Sequence, residues 1–152
     1  MKTNEHDARI RRVEMNDAPE ITELAHQLGY PTSVESMLRR LQVILNNPGQ
    51  IIFTVDIPEK KTAGYIHAMR HVSLEHDPCV EVGGLVINQV YRKKGLGKLL
   101  LSAAEKWAKD IGCRQIRLHS NVIREESHRF YEVMGYTITK SQYQFVKTLD
   151  RE

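Results

Sequence analysis

Cysteine is scarce in this chain. Cys79 and Cys113 are the only two in 152 residues, and neither belongs to a CxxC pair or a Cys/His cluster. That argues against a disulfide framework and a structural zinc site, and it fits a reducing compartment. Long apolar runs are missing too. No stretch approaches the ~18 consecutive apolar residues of a membrane span, and the opening "MKTNEHDARIRRVE" lacks the apolar segment of a secretory signal. A cytoplasmic protein with no membrane partner is expected. Charge of one sign is also modest. The formal net charge is +3, short of the dense Lys/Arg stripe of a nucleic-acid binder, so a local attraction for an anionic ligand is the better expectation. Low-complexity tracts, repeats and long linkers are all lacking.

What is present suits one globular domain spanning residues 1–152. Hydrophobic residues make up 41% and charged residues 27%, enough for a core and near the soluble average. "ARIRRVEM" reads as a short first strand. "NDAPEITELAHQL" carries an Asn16 or Asp17 cap, Pro19 in its first turn and an apolar face of Ile21, Leu24, Ala25 and Leu28, the signals of a helix. A second helix starts at a Ser33 cap and ends at "NNPG". "QIIFTVDI" and "TAGYIHAMRHVSL" form a predicted hairpin, and "CVEVGGLVINQVY" a strand with a Gly83–Gly84 interruption. "CRQIRLHSN" is a strand, and "EESHRFYEVMG" a helix stopped by Gly135. "YTITKSQYQFVKTL" is a closing hairpin turning near Lys140 and Ser141. The order β-α-α-β-β-β-α-β-α-β-β implies an α/β domain with a mixed sheet.

The stretch "NQVYRKKGLGKLLLSAAEKWAKDIG" poses a local problem. Gly95 and Gly97 weaken a helix start by about 1 kcal/mol each relative to Ala. Arg92, Lys93, Lys94 and Lys98 crowd the end where the helix dipole already leaves partial positive charge. A dinucleotide fingerprint fails, because GxGxxG needs glycine where Leu100 stands, and no Walker A loop is present. A phosphate cradle remains. First-turn amides have no intrahelical partner, an anion satisfies them, and glycines let it approach the backbone.

At this point the residues acquire a resemblance. "LVINQVYRKKGLGKLLLSAAEKWAKDIG" resembles the acetyl-CoA-binding segment of the GNAT superfamily of N-acetyltransferases. "LHSNVIREESHRFYEVMGY" resembles its second segment, a strand and a helix ending in aromatic-Tyr-x-x-x-Gly-aromatic. Both lie in the family's order, and the predicted elements match its topology. The resemblance implies a GNAT-like acyl-CoA N-acyltransferase fold and acetyl-CoA as co-substrate. It implies transfer of acetyl to a primary amine of a small molecule by direct attack. Similar wording at the chain's end is found in aminoalkylphosphonate N-acetyltransferases. The alternatives are a protein or peptide N-acetyltransferase and a non-catalytic CoA-binding module.

Residue by residue, the resemblance implies that the backbone of Leu85, Val86 and Ile87 pairs with pantetheine. The amides and side chains of Arg92, Lys93, Lys94, Gly95, Leu96, Gly97 and Lys98 would hold the pyrophosphate. Tyr131 would protonate the leaving thiolate, and Glu81 would take the amine proton through water. The family's frequent asparagine seven residues before the tyrosine is Arg124 here. Asn121 stands three residues earlier, and Ser127 replaces a usual alanine. These three are the remaining expected CoA contacts. The acceptor would lie near Tyr30, His67, His71 and Tyr143. His67 and His71 share a strand face and could join Asp77 or Glu81 around a metal, but no metal is expected. A homodimer through an edge strand is a further expectation.

Overall fold

The computed structural model describes residues 7–120 and 125–150. It resolves into two compact units, divided between residues 119 and 120. The first carries strands β1 (Arg9–Arg12), β2 (Gln50–Ile57), β3 (Lys60–His71), β4 (Cys79–Ile87) and β5 (Ile116–Leu118), with helices α1 (Ala18–Leu28), α2 (Val34–Leu45) and α3 (Leu96–Asp110). The sheet runs β1-β2-β3-β4-β5 and is antiparallel except for the parallel β4–β5 pair, which α3 connects. A parallel pair needs such a crossover, so the longest helix falls between β4 and β5.

Helices α1 and α2 cover one face. Ile21 and Ala25 of α1, with Met37 and Leu41 of α2, cluster on Ile52, and Tyr65 packs against them. The Ser33 hydroxyl accepts a 3.1 Å hydrogen bond from the Ser36 amide, the expected cap of α2. Cross-strand pairing puts Phe53, Ile66 and Leu85 on the opposite face, and α3 approaches β2, β3 and β4. Leu100, Leu101 and Ala104 of α3 are buried.

One charged knot ties α1 to the sheet. Arg11 of β1 donates Nη1 and Nη2 to the Asp17 carboxylate at 2.8 Å each, and Nε to Asp56 Oδ2 at 2.7 Å. The Thr62 hydroxyl donates to Asp17 Oδ1 (3.0 Å), and the Glu14 amide to Asp17 Oδ2 (2.8 Å). Burial opposes the Asp17 charge, but the hydrogen bonds from Arg11, Glu14 and Thr62 outweigh it and hold the carboxyl below its usual range. Asp17, expected only as a helix cap, is thus the acceptor centre of a buried network.

The second unit contains α4 (Glu125–Val133). It is closed as expected by Gly135, whose φ of 93° is left-handed and whose amide donates to Glu132 O at 3.0 Å. The expected closing hairpin is not formed: residues 136–150 carry no strand. Their alternation sets which side chains would share a face, but it supplies no backbone partner, and a strand exists only by pairing. Tyr143 and Phe145 are accordingly 91% and 93% exposed.

Candidate active site

Strand β4 changes character halfway along. His67 pairs with Gly84 and Ala68 with Val82, so Gly83 is the extra residue of a β-bulge. The expected Gly83–Gly84 interruption thus takes the form of a bulge, which bends the strand away from its neighbour. The β4–β5 ladder runs only from Val80↔Ile116 to Val82↔Leu118. Beyond Val82, among the described residues, Leu85, Val86 and Ile87 pair only with β3. Among the described residues their other edge has no strand partner. Val86 is buried, while Leu85 and Ile87 are half-buried and not the full core residues their apolar character suggests.

The loop after β4 leads directly to the segment expected to cradle a phosphate. Asn88 is buried, its side chain accepting from the Val90 amide and its own amide donating to Ala63 O. Gly95 caps α3 in the left-handed region (φ 79°), with no side-chain cap, and Lys93 is left-handed too (φ 64°). Gly97 lies within the first turn of α3. The Leu99 amide reaches Gly95 O at 3.3 Å. The amides of Leu96, Gly97 and Lys98 precede the first intrahelical donor, Leu99, and point out of the helix end. Left-handed residues in such a turn gather successive N–H groups into an anion-binding concavity. Arg92 is turned back, its Nε donating to Ile87 O at 3.2 Å, and Lys94 lies 5.7 Å from the Tyr91 ring centre. The exposed Lys93 and Lys98 complete the cationic rim. These residues fit a pyrophosphate-bearing ligand with an extended arm: open strand backbone, unsatisfied amides and cations lie consecutively.

On the α1–α2 side of the sheet a cavity of about 680 Å³ opens. Its walls are apolar side chains of α1 and α2 with Ile52, and its floor is Tyr65, His67, Gly83 and Gly84. A methyl placed on Gly84 would come 3.4 Å from Leu28 Cδ2 and 3.9 Å from the Tyr65 hydroxyl. One on Gly83 would come 2.8 Å from Met69 Cε and 3.4 Å from His67 Nδ1. The glycines therefore keep the floor bare and bring both polar groups beside the bulge. Burial and the neighbouring Tyr30 push the Tyr65 hydroxyl up to about 12, so it stays protonated. His67 Nε2 lies 2.7 Å from Gln50 Oε1, and burial lowers the pKa of the ring. With the amide oxygen as acceptor, Nε2 carries the proton and Nδ1 is left as a lone pair.

The expected acceptor residues divide. Tyr30 and His67 line the cavity, and His71 does not. The two histidines of β3 have different partners, since His71 Nδ1 lies 3.9 Å from Glu81 Oε1. The Glu81 side chain is 28% exposed, on the bulged strand but outside the cavity lining. Tyr143 belongs to the second unit and is solvent-exposed. Asn121 and Arg124 lie outside the described residues. Ser127 is half-buried on α4. Tyr131, on the same helix, packs edge-to-face on Phe130 (5.3 Å) and Tyr136 (6.1 Å). Tyr65, Arg39 and Arg40, all lining the cavity, went unmarked in the sequence. Only the strand parity shared by Tyr65 and His67 could have flagged the first.

The family model for the acetyltransferase (GNAT) family matches residues 17–136. The chain belongs to that family. An uncharacterized N-acetyltransferase of Bacillus subtilis, YhdJ, is 30% identical over 121 residues, 79% of this chain and 82% of its own. The aminoalkylphosphonate N-acetyltransferase of Salmonella typhimurium is 35% identical over 69 residues, 45% of this chain and 44% of its own. The solved structure of an aminoglycoside N-acetyltransferase, AAC(6′)-Iy, in complex with CoA superposes with a TM-score of 0.83. The match covers 98% of both chains at 18% identity and so shows the shared fold. As a GNAT member the chain is an acetyl-CoA-dependent acetyltransferase, in keeping with the cradle. No helix among the described residues is long and apolar enough to cross a membrane.

Proposed function

We propose that this GNAT member acetylates a primary amine of a small molecule by direct attack, both units acting as one catalytic domain. The observation that carries this reading is the juxtaposition at β4. The open strand edge of residues 85–87 runs into the α3 amides, and the Gly83–Gly84 bulge of the same strand floors the cavity. An acyl donor along the strand and an acceptor in the cavity would meet at the bulge. The cavity volume, about 680 Å³, is in the range of small-molecule sites and supports a small amine.

Acetyl-CoA supplies the acetyl thioester. Leu85, Val86 and Ile87 hold its arm through their backbone, and the 92–98 cradle holds its pyrophosphate. Asn121, Arg124 and Ser127 are further contacts. As the N–C bond forms and the C–S bond breaks, Glu81 takes the amine proton through a water. The Tyr131 hydroxyl donates its proton to the departing sulfur, an assignment that rests on its place in the Phe130-Tyr131…Gly135 motif. His67 offers a second base, favoured by the Nδ1 lone pair beside Gly83. The reading includes Tyr30 as an acceptor contact and a cytoplasmic homodimer, the latter checked by light scattering.

Thiol release from acetyl-CoA over an amine panel tests the reading, with Tyr131→Phe, Glu81→Gln and His67→Gln beside the parent. Loss of a positioned acid or base lowers kcat by roughly 10²–10⁴-fold. A Tyr131→Phe variant as fast as the parent removes the acid assignment. Whichever of the other two variants loses the acidic limb of the pH profile, where the base must be deprotonated to act, identifies the base.

A further inference from the structure

The cavity carries its own information about the acceptor, and the substrate class assigned from it rests on the acetyl-transfer reading. None of the described residues lining it is Asp or Glu. Among the described residues, the charged side chains that line it are Arg39 and Arg40, both exposed on α2, with His67 held toward its neutral form by burial on the floor. Arg39 spends one Nη2 donor on Ser36 Oγ at 3.0 Å, which leaves its other donors. Between the arginines and the bare glycine floor, the walls are aliphatic.

Each feature selects against one kind of amine and for another. A polycation would bring several ammonium groups against two positive charges, with no carboxylate among the described lining residues to receive them. A small hydrophilic amine would leave the aliphatic walls unfilled. A guanidinium presents a planar fork of N–H donors that matches a carboxylate or a phosphonate. We infer that the acceptor is a primary amine on an apolar body with an anionic group at its far end. The amine lies at the Gly83–Gly84 floor, the body against the α1–α2 walls, and the anion on Arg39 and Arg40.

The test uses the full chain and measures thiol release. Aminohexanoate is compared with its methyl ester and aminopentylphosphonate with its dimethyl ester, beside spermidine and kanamycin. The acids exceed their esters by about tenfold in kcat/KM, as a charge-assisted hydrogen-bonded contact requires. The carboxylate and phosphonate arms show which anion is preferred. In Arg39→Glu/Arg40→Glu the acid-to-ester ratio falls to about one or inverts, and Arg39→Lys/Arg40→Lys restores part of it. A structural role would lower acid and ester alike and leave the ratio unmoved. Faster turnover of spermidine or kanamycin than of the acids, or the same ratio in parent and Glu variants, overturns the substrate class and leaves acetyl transfer standing. Thiol release with none of the amines, from protein that binds CoA calorimetrically, overturns both.

Discussion

Replacing Arg11 by Met probes the knot that anchors the α1 wall of the cavity. The change keeps the length of the side chain and removes the cation that joins the two carboxylates. Asp17, 1% exposed, and Asp56, 24% exposed, would then face each other without the guanidinium, keeping only their hydrogen bonds from Thr62 and the Glu14 amide. Both carboxylates lie within hydrogen-bond reach of one guanidinium, so their charges are about 6 Å apart, and at an effective dielectric constant of about 20 they repel by about 3 kcal/mol. Breaking a buried pair from one side typically costs about 3–5 kcal/mol, and the partial exposure of Asp56 places this case near the lower figure. For a chain of this size, that lowers Tm by about 10 °C. The pH dependence carries a definite sign. Asp17 and Asp56 have depressed folded-state pKa values, so their contribution is present above the unfolded value, about 3.9, and is lost as pH falls through the folded values. In Arg11→Met the carboxyls titrate higher, and protonation relieves their repulsion. Urea melts of the two proteins from pH 7 to pH 3 therefore show a stability gap that is widest at pH 7 and narrows on acidification. A gap under about 1 kcal/mol at pH 7, the range of an exposed pair, or one that does not change with pH, refutes the reasoning.

Single positions give three further outcomes. A Cβ on Gly64 would lie 2.7 Å from the Val86 carbonyl oxygen and 2.6 Å from Ile87 Cδ1. Gly64→Ala therefore pushes β3 from β4, lowers stability by about 1–3 kcal/mol in chemical denaturation, and raises the KM for acetyl-CoA through the displaced 86–87 backbone. Gly95→Ala forces a left-handed φ of 79° on a residue with a Cβ, at a cost of about 1–2 kcal/mol, and calorimetry shows weaker CoA binding. His67 is held neutral by burial. Its depressed folded pKa means that stability declines as pH falls from about 6.5 toward the folded value, and His67→Gln flattens that slope in melts across pH 5–8.

The elements that the sequence announced are those fixed by local chemistry. Ser33 caps α2 through its own hydroxyl, Gly135 ends α4 in a left-handed turn, and Gly95 opens α3 in another. The Gly83 bulge was legible for the same reason: two glycines inside a strand give up side-chain packing and mark an irregular ladder. What escaped depends on non-local placement. Arg39 and Arg40 look like any exposed helix cations until α2 is laid over the sheet. Tyr65 becomes a floor residue only through its register with Thr54 and Val86. His67 and His71 share a face by parity, but Gln50 and Glu81 separate their roles. The alternation of residues 136–149 suggested a hairpin and held no information about a pairing partner.

The central claim is direct acetyl transfer between a donor on the β4–α3 cradle and an amine in the cavity. Initial velocities of thiol release, with acetyl-CoA and an accepted amine varied together, test it most directly. Direct transfer predicts an intersecting family of lines, because both substrates must be bound at once. Parallel lines, or thiol release that does not depend on the amine, would contradict it.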